Sequence, residues 1–279
     1  MGTYGAWDVY INNHKMNDIR IYPDRESLAQ AAAEHIIESG TTAIQNQNRF
    51  SLALAGGSTP KAAYELLASD EYAQRLDWKR VHIFWGDERC VPLEHTDSNY
   101  RMARQSLLDH VPIPAINIHR MRAEEEPIKA AREYEGILRS FFSLQPDHSN
   151  DPDVGSVGRK SFDLVLLGMG DDGHTASLFP SSDATNESVC WVTAVAHNNP
   201  PPPLVTRLTL TLPVINAAAQ VIFLVAGASK SQSLKHVLSP PDQSSPTLPA
   251  QLIQPLNGRL LWLVDEAAYS GKSKQYDPI

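Results

Sequence analysis

The residues best equipped for chemistry sit in four glycine-led segments: Gly56-Gly57-Ser58-Thr59-Pro60-Lys61, Gly86-Asp87-Glu88-Arg89, Gly168-Met169-Gly170-Asp171-Asp172-Gly173-His174 and Gly227-Ala228-Ser229-Lys230. In the first, paired glycines let the backbone approach a ligand closely. Two hydroxyls, the N–H groups of a following helix and Lys61 add donors, a composition suited to phosphate. In the third, Asp172 and His174 place a carboxylate and an imidazole two residues apart, a pairing suited to proton transfer. In the second, Arg89 can grip a phosphate while Asp87 or Glu88 orients it or contacts sugar hydroxyls. Lys230, at an expected helix start, opposes the helix dipole and is mildly unfavourable there unless an anion shares the site. Arg207, opening the alternating run Arg-Leu-Thr-Leu-Thr-Leu, is a further candidate cation. Taken singly, each has an ordinary structural reading as well: a tight strand-to-helix turn, a histidine bonded within its loop, a surface turn with a local ion pair, or a solvated basic residue.

Several chemistries are excluded. Residues 168–173 formally read G-x-G-x-x-G, but a dinucleotide pyrophosphate would meet Asp171 and Asp172, and the following segment reaches Pro180 too soon for a long crossover helix. Gly271-Lys272-Ser273 mimics the end of a phosphate-binding loop, yet Glu266 holds the required leading glycine position. There is no H-E-x-x-H and no G-x-S-x-G, and the two cysteines, Cys90 and Cys190, have no metal or redox spacing. No metal or organic cofactor is expected, and hydrolysis would use base-activated water on an electrophilic ester or lactone.

For these groups to meet, the elements before them must end together. Short apolar, β-branched or aromatic runs predict strands at 51–55, 81–85, 162–167, 191–195, 207–212, 221–226 and 260–264. Amphipathic segments predict helices at 25–46, 60–69, 98–110, 127–142 and 229–238, with Thr59 as N-cap ahead of Pro60. This alternation predicts an α/β protein with a mainly parallel sheet flanked by helices, whose ligand lies outside the carboxyl ends of the strands. Polar or Pro-rich stretches at 145–161, 197–203 and 240–249 read as surface loops. Residues 1–17 read as an N-terminal extension and 18–279 as a single α/β domain.

The chain has 279 residues and a formal charge of −8, from 24 Lys+Arg against 32 Asp+Glu, with 42% hydrophobic and 20% charged residues. These values exclude bulk disorder and argue against nonspecific nucleic-acid binding. No apolar run approaches the ~20 residues of a membrane span, and the first residues lack a secretory pattern. Ala6 stands where a myristoylation motif needs Ser or Thr. A cytoplasmic protein with no membrane or nucleic-acid partner is expected, either monomeric or a small homo-oligomer.

In order along the chain, Leu54 to Pro60, Trp85 to Pro92 with Ser98-Asn99, Gly168 to Pro180, Arg207-Leu208-Thr209 and Gly227 to Lys230 resemble the 6-phosphogluconolactonase family. The resemblance spans about 19–268. The sister deaminases and isomerases of the superfamily share the Gly-Gly turn and the Asp-Gly-His loop but depart after the histidine, where Ala176-Ser177-Leu178-Phe179-Pro180 follows the lactonase form. It implies a Rossmann-like three-layer, glucosamine-6-phosphate deaminase-like fold. It also implies hydrolysis of 6-phospho-D-glucono-1,5-lactone to 6-phospho-D-gluconate in the oxidative pentose phosphate pathway, without a cofactor. His174 would be the general base and Asp172 its orienting partner. Arg89, Lys230 and Arg207, with Gly56, Gly57, Ser58 and Thr59, would hold the phosphate and neutralise the oxyanion, and Asp87 and Glu88 would complete the binding set. Thr206 departs from the family, which often has proline before the arginine, and Pro200 to Pro203 lengthen the loop leading to it. A sugar-phosphate isomerase or deaminase and a non-catalytic sugar-phosphate sensor are the alternatives.

Overall fold

A computed structural model describes residues 18–143, 161–180, 182–197, 202–239 and 246–271. The expected N-terminal extension, most of the 145–161 and 240–249 loops, and Pro200 and Pro201 lie outside the described residues. The strands are β1 (Asp18–Tyr22), β2 (Phe50–Leu54), β3 (Val81–Trp85), β4 (Asp87–Arg89), β5 (Leu164–Leu167), β6 (Val192–Val195), β7 (Arg207–Leu210), β8 (Gln220–Val225) and β9 (Arg259–Asp265). The α-helices are α1 (Arg25–Gln47), α2 (Ser58–Leu67), α3 (Asp70–Ala73), α4 (Asn99–Ala103), α5 (Pro127–Ser143), α6 (Leu212–Asn216), α7 (Ser231–Leu238) and α8 (Glu266–Ser270).

Six strands form a parallel sheet in the order β1-β9-β8-β5-β2-β3, and three form an antiparallel sheet, β4-β7-β6. Central strands bury both faces, as their apolar sequences require. In β8, Val221, Phe223 and Val225 pack into one core, shared with α5 and the small sheet, while Ile222 and Leu224 pack into another, shared with α1 and α2. Each such side chain, fully buried, contributes about 1.5–3 kcal/mol. Helix α1 presents Leu28, Ala29, Ala32, Ala33, Ile36 and Ile37 to that second core; Asp24 caps it by accepting from the Ser27 N–H at 2.8 Å, and Asn48 ends it in a left-handed conformation. No helix among the described residues is long and apolar enough to cross a membrane.

The structure departs from expectation at specific places. Residues 86–89 do not form a loop after β3: residues 87–89 are strand β4 of the small sheet, because Gly86 continues the chain into antiparallel pairing with β7. Strand β1 adds an edge absent from the expected strands, although its apolar Ile19 and Ile21 alternate with polar residues as a half-buried strand requires. The helix expected at 98–110 splits into α4 and a π-helical turn, Arg104–Leu108, where the Ser106 hydroxyl donates back to the Met102 carbonyl at 2.8 Å. Helix α2 begins at Ser58, so Gly57, not Thr59, occupies the N-cap position.

Two buried tyrosines fix the strand ends that carry the glycine loops. The Tyr64 hydroxyl bonds both the N–H and the C=O of Ala55, each at 3.0 Å, and that of Tyr134 bonds the N–H and C=O of Trp85 at 2.9 and 3.3 Å. Gly56 and Gly86 follow directly. Tyr134→Phe leaves both Trp85 groups unpaired in a dry interior, so denaturant melting should show a stability loss of about 1–3 kcal/mol. An unchanged midpoint would mean that water replaces the hydroxyl.

At the β3 edge, His82 Nδ1 lies 3.3 Å from His119 Nε2. Burial, reinforced by the charges of His119 and Arg49, lowers the His82 pKa to about 4, and burial lowers that of His119. Free histidine titrates near pH 6.5, so between that value and about 4 the unfolded chain binds protons that the folded one refuses. The stability contributed by the neutral pair is therefore complete above about pH 6.5 and lost progressively below it. After discounting for partial exposure, about 2 kcal/mol should disappear between pH 7.5 and 4.5 in urea titrations, and His82→Phe should blunt that loss.

Candidate active site

Strand β5 ends in the middle of the large sheet and releases the 168–180 loop. That loop folds on itself: the Gly170 N–H donates to the His174 C=O at 2.8 Å, the Gly173 N–H to the Gly170 C=O at 3.0 Å, and Thr175 Oγ1 to the Gly168 C=O at 2.8 Å. Gly173 supplies a φ of +78°. Gly170 is required for a different reason, since a Cβ there would collide with His174 Nδ1 and Asp172 Oδ1.

The result is a fixed pair, with His174 Nδ1 2.5 Å from Asp172 Oδ1, which also accepts the His174 backbone N–H at 3.1 Å. Half-burial pushes the Asp172 carboxyl up, but the hydrogen bond and charge of His174 outweigh it and hold the carboxyl below the usual range. An ionised acceptor on Nδ1 orients the imidazole so that Nε2 carries the lone pair. Behind the ring, Phe179 lies 4.8 Å from His174, stacks on His197 at 4.0 Å and sits 5.4 Å beneath the Arg207 guanidinium.

The small sheet brings two cations to the same place. In the β4–β7 ladder Arg89 and Arg207 are direct cross-strand partners, an arrangement that like charges disfavour. Arg207 is only 3% exposed and donates to the Pro203 C=O at 3.1 Å, while Arg89 donates to the Asp97 C=O at 2.6 Å. Among the described residues, each keeps a buried Nε–H with no acceptor. Burial lowers the Arg207 pKa; the Asp87 charge opposes the shift and that of Arg89 adds to it. Asp87, Asp97 and Glu88 act on Arg207 as well, yet the unsatisfied Nε–H groups of these two cavity-lining arginines leave the site able to take a further anion.

Lys230 completes the cluster from the turn that enters α7, held by a hydrogen bond from the Gly227 N–H to Asp265 Oδ1 at 2.9 Å. The anion expected beside it is a carboxylate of the chain itself: Nζ lies 2.7 Å from Asp171 Oδ1, which also accepts from Ser229 Oγ at 3.1 Å. That ion pair, ahead of the smaller effect of burial, holds the Asp171 carboxyl below its usual range.

A cavity of about 490 Å³ is lined by Asp172, His174, Arg89, Arg207 and Lys230, with Gly56 and Asp87 in its wall. The other expected binding residues lie elsewhere. Glu88, 3% exposed, accepts the N–H groups of Arg89, Asn99 and Tyr100 at 2.7–2.8 Å and the Ser98 hydroxyl at 3.2 Å. It anchors the start of α4 and has no capacity left for a sugar hydroxyl. The Asp87 carboxylate is likewise engaged, by Ser177 Oγ at 2.7 Å and Asn99 Nδ2 at 3.1 Å, so it shapes the wall. Gly57 and Ser58 are exposed at the start of α2, Thr59 is buried, and none of the three lines the cavity. Asp171, Asn99 and Ser177 are the participants that residue chemistry did not single out; the trace they leave is in the glycines, since a Cβ on Gly56 would strike the Asn99 amide. A second recess of about 570 Å³ beside α5 is lined by His119, Arg120, Arg122, Glu133, Tyr134 and Phe141 among others, and its two arginines are already paired with Glu124 and Glu125.

The profile of the family described as glucosamine-6-phosphate isomerases/6-phosphogluconolactonase matches residues 23–262. The chain belongs to that family. Within the glucosamine-6-phosphate isomerase/6-phosphogluconolactonase family, it is 43% identical over 251 residues to a 6-phosphogluconolactonase of Nostoc, covering 90% of this chain and 96% of the relative. It is 42% identical to one of Synechocystis, covering 88% and 94%. The solved structure of 6-phosphogluconolactonase from Trypanosoma brucei gives a TM-score of 0.76 at 29% identity, over 93% of this chain and 100% of its own. A monomeric glucosamine-6-phosphate deaminase, at 19% identity and a TM-score of 0.71 over 91% of this chain and 100% of its own, shares the fold. The lactonase resemblance of the motifs and the parallel sheet flanked by helices are both borne out by these similarities.

Proposed function

We propose that this protein hydrolyses 6-phospho-D-glucono-1,5-lactone to 6-phospho-D-gluconate, and the observation that carries the reading is the Asp172–His174 pair facing the same cavity as the under-satisfied Arg89–Arg207 pair. Asp172 accepts a hydrogen bond from Nδ1–H, which stays on the ring, and leaves Nε2 to take a proton from water as its oxygen bonds to the lactone carbonyl carbon, so that the imidazole becomes an imidazolium beside an ionised carboxylate. The tetrahedral oxyanion collapses, the bond to the ring oxygen breaks, and that oxygen recovers a proton from the imidazolium. The product is a carboxylic acid that releases one proton to solution. Arg89, Arg207 and Lys230 divide the phosphate and the developing oxyanion among them, so local charge supplies the attraction that a chain of net charge −8 lacks as a whole. No step requires a cofactor, and a cytoplasmic setting fits this reading.

The test follows proton release after adding freshly prepared lactone, with spontaneous opening subtracted and ammonia release from glucosamine 6-phosphate assayed in parallel. Acid production well above the buffer rate is expected. Opening no faster than buffer would reject the reading; ammonia would then indicate a deaminase, and silence in both assays a sensor.

A further inference from the structure

The Lys230–Asp171 pair spans two loops that both line the cavity, and Asp171 is the member turned outward, with its side chain 64% exposed against 26% for Lys230. Ser229 steadies the same Asp171 oxygen, so the carboxylate is held by side chains flanking the α7 entrance and not by chance contact. A free carboxylate beside Asp172 would normally be repelled, and coulombic repulsion from Asp172 does act on it; the Lys230 bond prevails. The Lys230–Asp171 ion pair thus neutralises one cation of the cluster with an acceptor of the same charge sign and similar oxygen geometry as a phosphate.

We propose that Asp171 is a built-in competitor for the substrate phosphate: it occupies Lys230 while the cavity is empty, yields it when the phosphate enters, and reclaims it as the product leaves. This rests on the reading of the cavity as a sugar-phosphate site with Lys230 on the phosphate. The exchange forms and breaks no covalent bond. Its consequence is weaker ground-state binding and faster loss of an anionic product, with the chemical step untouched. The residue thus sets the affinity range of the enzyme, and it does so from outside the His174 machinery.

The experiment measures inorganic phosphate binding by calorimetry, and lactone turnover with product inhibition, in the intact wild-type chain, Asp171→Asn and Asp171→Ser. Phosphate should bind about 2- to 5-fold more tightly in both variants, an ordinary gain for releasing one partly exposed ion pair. KM and the product inhibition constant should fall by a similar factor while kcat does not rise. Phosphate affinity that is unchanged or weaker in both variants would overturn the proposal and make Asp171 a support for Lys230. Tighter binding in Asn alone would also overturn it, since the amide could be donating to the ligand directly. If no variant opens the lactone, the functional reading fails while the phosphate titration still reports on Asp171; if turnover is normal and phosphate affinity does not move, the competitor fails and the function stands.

Discussion

His174→Ala should lower kcat for lactone opening by about three orders of magnitude while melting close to the wild-type temperature. Positioned general bases contribute about 10²–10⁴-fold, and His174 is the imidazole held against a carboxylate in the cavity, with Nδ1 2.5 Å from Asp172. The side chain is confined by its own loop and by Phe179, not by the deep core, so its loss leaves the sheets in place. Asp172→Asn should cost nearly as much, about 10²- to 10³-fold, because the amide can turn its N–H toward Nδ1 and fix the tautomer in which Nε2 is protonated and unable to act as base. Proton release with spontaneous opening subtracted reads both variants. A loss under about tenfold for His174→Ala would mean that another group activates the water.

Arg207→Met should produce opposite changes in function and stability. The charge-assisted contacts of a buried arginine with phosphate are worth about 2–4 kcal/mol, so kcat/KM should fall about 30- to 10³-fold, chiefly through KM. Stability should rise instead, by about 1 kcal/mol, because the substitution removes a buried charge facing Arg89 across the ladder and an Nε–H without an acceptor. The lost bond to the Pro203 carbonyl and the attraction of Asp87 offset part of that gain. Kinetics and thermal melting on the same preparation read the two signs. A variant both weaker in binding and less stable would show Arg207 to be structural.

The large sheet was legible because strands buried on both faces write continuous apolar runs: Val165, Leu166 and Leu167 announce β5 without context. The loops that follow were legible because glycine and charge together are unusual directly after such runs. The small sheet was not fully legible. Three charged residues, Asp87, Glu88 and Arg89, form β4, and nothing in their propensity favours a strand; pairing with β7 decides it. Residue chemistry likewise assigned Glu88 to sugar, since a carboxylate beside an arginine looks available until the N–H groups of Asn99 and Tyr100 are seen to claim it. Lys230 was identified as a cation needing an anion, but the local sequence holds no sign that Asp171, 59 positions earlier, returns across the cavity to meet it.

The order β1-β9-β8-β5-β2-β3 also bears on how the molecule is made. Among the described residues, strand β1 pairs with no strand except β9, Asp18 opposite Leu261 through Tyr22 opposite Asp265, so some of the earliest described residues wait for some of the last to be synthesised. Every cavity residue up to Lys230 has been synthesised before β9, and until β9 pairs, β8 carries an open, apolar edge. Such unpaired edges and long-range parallel pairings fold slowly and invite association. Released chains truncated before Arg259 should therefore depend on chaperones for solubility, whereas chains carried through Asp265 and beyond should not.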